Sequence, residues 1–217
     1  MKRETRNVAG DVELREVEGG GAMRIAGYAA KFYRESDPGT EYELWRGAKE
    51  RIMPGAFDDA VAGDDVRALF NHDSSMILGR SKSGTLRLSV DEVGLRYEVE
   101  PADTSVYRDV AQHLSRGDVD GSSFQFSIPP DGERWSNENG VEVRQITKVK
   151  LYDVGPVTFP AYASATSGLR SEDLDQARQR RNEWAAEQEQ AAREKQQREQ
   201  RLAEVDARLI DISKKLG

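Results

Sequence analysis

The sequence predicts a mainly β chain with flanking helices (α+β), its strands forming a small barrel and a long helix following at the C-terminus. Three observations carry this expectation. Apolar and polar residues alternate in short runs over the first 170 residues, and turn-forming clusters separate those runs. Residues 171–217 contain no proline and a glycine only at the last position. Many short strands with few helices favour a small barrel or sandwich, and of the two the barrel is expected. At 217 residues the chain has room for one ordinary domain, 1–170, and a charged helical appendage, 171–217.

The first candidate strands are Val12 to Val17 and Met23 to Phe32, with Gly19-Gly20-Gly21 as the turn between them. That glycine triplet is not a phosphate loop, because no Lys-Ser/Thr pair follows it. Pro54 opens a short helix over Gly55 to Ala62. Val66 to Phe70 is an apolar run that ends at Asn71-His72-Asp73. Leu86, Leu88 and Val90 alternate with polar neighbours, Asp91 to Gly94 turns the chain, and Leu95, Tyr97 and Val99 resume the alternation, which is a hairpin pattern. Ser105 to Leu114 reads as a helix capped by Thr104. Phe124 to Ile128 and Val141 to Phe159 complete the strands. Between them Pro129 to Gly140, rich in Pro, Gly, Asp and Asn, reads as an exposed loop whose Trp135 folds back onto the domain. In the last segment Leu202, Val205, Leu209, Ile212 and Leu216 follow a 3,4,3,4 spacing, the seam of a coiled coil. The alternative is a solvated tail with no partner.

Composition narrows the chemistry. Hydrophobic residues make up 37% and charged residues 33%, with a net charge of −7 that weighs against general nucleic-acid binding. Cysteine is absent, so a disulfide framework, a thiolate nucleophile and a Cys-based zinc site are excluded. Two histidines on separate elements leave little support for a metal, and no other cofactor is expected. The basic Met1-Lys2-Arg3 start has no apolar signal region after it, and no run approaches membrane-spanning length. The expectation is a soluble protein of a reducing compartment.

A serine hydroxyl is a poor nucleophile at neutral pH until an imidazole accepts its proton, and the imidazole works better when a third group orients it. His113 falls near the end of the predicted helix, where it suits the helix dipole, so His72 is the plausible base. Ser123 begins the alternation Phe124, Phe126, Ile128, which places Ser123, Gln125 and Ser127 on the opposite face and points Ser122 the other way. Asp73 is a poor orienting partner, because adjacent side chains on a strand face apart; it starts the turn through Ser74 and Ser75. Asp153 lies inside an otherwise apolar strand, where a carboxylate costs free energy unless paired. It is either a third functional group or one half of a structural ion pair, and the residues alone leave both open.

The ordered set Glu50 to Phe57, Leu69-Phe70-Asn71-His72-Asp73 with Leu78-Gly79-Arg80, Asp91 to Leu95, Gly117 to Phe126, Leu151 to Val154 and Val157 to Tyr162 resembles the prohead (capsid maturation) serine proteases of tailed phages, the HK97 type. The resemblance covers roughly Gly27 to Ala165. It implies a fold related to herpesvirus assemblin, a serine endopeptidase, His72 as base, Ser123 as nucleophile and Asp153 as third member, where the phage family tends to carry Glu. Asp is one methylene shorter, so its strand must approach His72 more closely. Gly155 stands where a Ser is common. The partners implied are the major capsid protein and its scaffolding segment, with self-association through the C-terminal helix as a further candidate; no membrane or nucleic acid is expected. The implied location is the host cytoplasm, inside the assembling procapsid. Rival readings are a non-enzymatic scaffold-binding assembly protein and a hydrolase of small esters.

Overall fold

The structure is a computed structural model that describes residues 3–17, 20–160 and 171–216, with side chains of the last helix described for 172–202 and for 205. Its strands lie in three sheets. The first holds, in spatial order, β1 (Glu4–Val8), β10 (Gly121–Ser127), β13 (Lys150–Val157), β6 (Arg67–Leu69) and β7 (Ile77–Arg80). The second holds β11 (Glu133–Glu138), β12 (Val141–Ile146), β5 (Ala48–Ile52) and β4 (Glu41–Trp45). The third holds β2 (Val12–Glu16), β3 (Met23–Lys31), β9 (Gly94–Val99) and β8 (Leu86–Val90). The helices are α1 (Asp58–Gly63), α2 (Ser105–Arg116) and α3 (Ser171–Leu216). The mainly β, α+β expectation holds, but the described strands do not close into a barrel. Alternation reveals which face of a strand is apolar; it does not reveal which strand edges pair.

A ring of aromatic contacts marks the core. Phe57 meets Phe124 edge-on at 5.5 Å, and Phe124 stacks on Phe126 at 4.8 Å. Helix α2 starts where Thr104 Oγ1 accepts from the Tyr107 amide at 3.2 Å. It docks through the Tyr107 hydroxyl, which accepts from Ile25 N and donates to the Met23 carbonyl of β3 at 2.7 Å.

The expected loop Pro129 to Gly140 is a hairpin arm instead. Strand β11 pairs antiparallel with β12, and Trp135 is 8% exposed and stacks on Trp45 at 6.1 Å. The single expected strand Val141 to Phe159 is two strands, one in each of two sheets. The expected turn at Gly19 to Gly21 falls partly on residues 18 and 19, outside the described residues.

Between the first and second sheets lies a buried ionic cluster. Arg6 contacts Glu4 at 2.7 Å and Glu50 at 2.5 Å. Arg144 contacts Glu4 and Glu50 at 2.9 Å and Glu133 at 2.6 Å. Asp173 accepts from the Thr5 amide at 3.1 Å and lies 3.6 Å from Arg6. Burial alone would push the Glu4 carboxyl up, but the charges of Arg144 and Arg6 lower it to about 2.

The chain divides into two compact units, Met1–Leu174 and Asp175–Gly217. The second is the greater part of α3. Its surface carries helical pairs four residues apart, such as Gln190 with Glu194 at 2.9 Å. Leu202 and Val205 of the expected seam are exposed, and the side chains of Leu209, Ile212 and Leu216 lie outside the described residues.

Candidate active site

Strand β6 delivers its chain end to a tight turn at Phe70–Asp73, closed by the Asp73 amide donating to the Phe70 carbonyl at 3.0 Å. Both central residues are left-handed, Asn71 at φ 53° and His72 at φ 58°. Such backbone is uncommon outside glycine and is tolerated best by Asn, Asp and His. Two side chains brace the turn. Asp73 accepts from the Ser75 hydroxyl and amide at 2.7 and 2.8 Å, which holds its carboxyl below the usual range. Asn71 reaches the end of β13, donating to Thr158 Oγ1 at 3.0 Å and accepting from Thr158 N at 2.9 Å.

The turn aims His72 across the sheet. Its Nε2 lies 2.5 Å from Ser123 Oγ, and its Nδ1 meets Asp153 Oδ1 in a short contact. Ser123 and Asp153 share a face because β10 and β13 are antiparallel neighbours, with Ser123 opposite Gly155 and Gln125 opposite Asp153. Ser123 is fully buried, and Asp153 nearly so. The structure thus brings together all three residues singled out in the sequence. Ser122 points to the other face, where its hydroxyl meets the Tyr97 hydroxyl at 2.9 Å. His113 is exposed and sits 3.4 Å from Asp118.

Two features of the site are backbone features that residue types do not announce. Ser123 Oγ also donates to the Arg6 carbonyl at 2.9 Å, so β1 walls one side of the hydroxyl. Gly155 lets β13 press against β6: a Cβ there would stand 2.0 Å from the Leu69 carbonyl oxygen.

A hydroxyl, an imidazole and a carboxylate in this order can move a proton from oxygen to Nε2 while the carboxylate fixes the tautomer at Nδ1. Among the described residues no group of His, Asp and Glu could hold a metal ion, and no helix is long and apolar enough to cross a membrane.

A family model described as caudovirus prohead serine protease matches residues 10–180. No match is found among the curated proteins. Among solved structures, the bacteriophage T4 capsid assembly protease gp21 is similar at 14% identity and a TM-score of 0.40, over 73% of this chain and 97% of its own.

Proposed function

Because the chain belongs to the caudovirus prohead serine protease family, we propose that it cleaves the scaffolding segment of the major capsid protein, and then itself, during prohead maturation. The observation that supports this reading most is the contact series Ser123 Oγ, His72, Asp153. Ser123 is the nucleophile, His72 the base and Asp153 the orienting acid.

In the acylation step Ser123 Oγ attacks the scissile carbonyl carbon and its proton passes to His72 Nε2. His72 returns that proton to the leaving amine as the peptide bond breaks. Water then attacks the acyl-enzyme, His72 takes one of its protons, and Ser123 Oγ recovers it as the acid product departs. Asp153 accepts from Nδ1–H throughout, which keeps Nε2 free to take the serine proton and stabilises the imidazolium. The hydroxyl has one proton and two acceptors in reach, the Arg6 carbonyl and His72 Nε2, and attack proceeds from the second arrangement.

The enzyme would act in the host cytoplasm, inside the assembling procapsid, with the helical tail as the element that recruits it. An apolar seam ending in Leu202 to Leu216 suits a helical partner, either scaffold or a second tail. A truncation that tests this starts at Asp175, since Asp173 holds β1. It should leave peptide cleavage intact and lower encapsidation; unchanged encapsidation would remove the tail from the proposal.

Co-expression with the cognate capsid protein, read by intact mass for wild type, Ser123→Ala and His72→Ala, tests the central reading. Wild type should shorten the capsid protein at a defined bond and both variants should leave it whole. Equal processing by all three would favour the non-enzymatic assembly protein instead.

A further inference from the structure

The proton relay gives Asn71 no task, yet no other side chain ties the His72 turn to β13 by two hydrogen bonds of its own among those described. We infer that Asn71 is a positioning residue, whose carboxamide clamps the turn so that the His72 ring stays between Ser123 and Asp153. The inference rests on the protease reading above.

The parallel ladder between β6 and β13 pairs Arg67 with Asp153 and Ala68 with Val154. Beyond it the chain must leave the sheet to enter the turn, and the backbone ladder stops. Asn71 continues it by other means. Its amide N–H donates to the Pro156 carbonyl at 3.0 Å. Its side chain then offers one acceptor to Thr158 N and one donor to Thr158 Oγ1. A carboxamide carries the same donor and acceptor as a peptide group, so it stands in for the missing rung.

The clamp matters because of what each side carries. On the turn side, His72 follows Asn71 directly, and both are left-handed. On the sheet side, the residues gripped are Pro156 and Thr158 of the chain that holds Asp153, and Pro156 lies opposite Ser122, the neighbour of the nucleophile. A slack turn would let the imidazole swing while leaving Ser123 and Asp153 in place. Asn71 is exposed, so its loss opens no cavity. It also meets two needs at once, a left-handed backbone and a reach to Thr158, which Gly meets only in part.

The test separates geometry from stability and from substrate recognition. Purified full-length wild type, Asn71→Gly, Asn71→Asp and Thr158→Val are titrated with a fluorophosphonate, in which serine displaces fluoride from phosphorus, and kinact and KI are measured separately. Asn71→Gly keeps the left-handed turn without strain and removes the clamp, so kinact should fall about tenfold to a hundredfold with KI nearly unchanged. Thr158→Val, which removes one of the two side-chain bonds, should fall less. Asn71→Asp should recover most of the rate, because its oxygens accept from Thr158 N and from the Thr158 hydroxyl. Melting temperatures should stay together.

A wild-type kinact in Asn71→Gly overturns the inference, as does a loss that tracks the melting temperature or appears in KI alone. No label on Ser123 in the wild type overturns the protease reading, and the positioning role with it.

Discussion

The first sheet contributes to two buried polar clusters on its opposite faces, the inward one through Glu4 and Arg6 of β1 and the outward one through Ser123 of β10 and Asp153 of β13. Register assigns them: Arg6 and Glu4 of β1 lie beside Phe124 and Phe126 of β10 and point inward, while Asn7 lies beside Ser123 and points outward. The inward cluster joins Arg6 and Arg144 to Glu4 and Glu50, and its two cations hold fixed charges. Arginine does not lose its proton in proteins, so neither cation of this cluster can act as a base. The outward cluster is built from a hydroxyl, an imidazole and one carboxylate, groups between which a proton can move. Burial is common to both; the difference lies in whether the basic group can give up its proton. Arg6 takes part in each, its guanidinium inward and its carbonyl accepting from Ser123.

Substitutions on the two faces should therefore fail differently. The largest effect belongs to Ser123→Ala, expected to lower capsid-protein cleavage by about 10⁶-fold while leaving the melting temperature close to wild type, as seen by intact mass and calorimetry. A variant that also unfolds would erase the distinction between the faces. Asp153→Asn keeps the shape of the acid and should cost about 10⁴-fold in kcat through the wrong imidazole tautomer. A rate near wild type would make Asp153 a merely structural partner.

On the inward face the readout changes to stability. Arg144→Met leaves Glu4 and Glu50 with Arg6 as their one cation in the cluster and takes the Arg144 contact from Glu133, and urea unfolding should show a loss of about 3–5 kcal/mol, with the folded fraction still labelled at Ser123. Loss of labelling at full stability would show that the inward cluster acts on the chemistry.

The smallest effect concerns acid. The folded pKa of Glu4 is depressed from 4.5 to about 2 by Arg144 and Arg6 against the opposing effect of burial. Its contribution is therefore present in full above the unfolded value and is lost as pH falls through the folded one. It amounts to about 3 kcal/mol at neutral pH. Stability measured down through that window should fall, and Glu4→Gln should flatten this part of the fall. An unchanged slope in that variant would assign the acid sensitivity to other carboxylates.

Alternation made β2, β8 and β9 legible, because their apolar residues turn towards the core and their polar residues towards water; β3 was legible as an apolar run, buried without a break from Ile25 to Gly27. The same rule hid β1 and β5. In β5 Ala48, Glu50 and Ile52 are the buried set, so a glutamate stands where the rule asks for an apolar residue. In β1 the buried residues include Glu4 and Arg6. Charges that find their partners across two sheets invert the pattern on both of these strands. Strand β11 was hidden by its turn-forming neighbours and by the polar residues around Trp135.

The three residues that meet at the candidate site were easier to single out than the strands that carry them. With no cysteine and two histidines, few nucleophile and base combinations exist, and a carboxylate in an apolar strand advertises a partner. Asn71 escaped because it titrates nothing; the signal present was a residue tolerant of left-handed backbone directly before the histidine. The Arg6 carbonyl could not have been found, since every residue has one.

Gly155 bears on how this sequence can be engineered. A common route to stabilisation replaces glycines inside strands by residues with a side chain. A side chain there collides with the Leu69 carbonyl at 2.0 Å, on the strand that leads into the His72 turn. Relief would come by pushing β6 away from β13, and the imidazole would be carried off from Asp153. Asp153 and Gly155 lie two residues apart on β13, so the acid sits next to the thin point at which its strand meets β6. Gly155→Ser should therefore slow labelling of Ser123 as well as loosen the sheet, and a wild-type labelling rate in that variant would show that β6 gives way without moving His72.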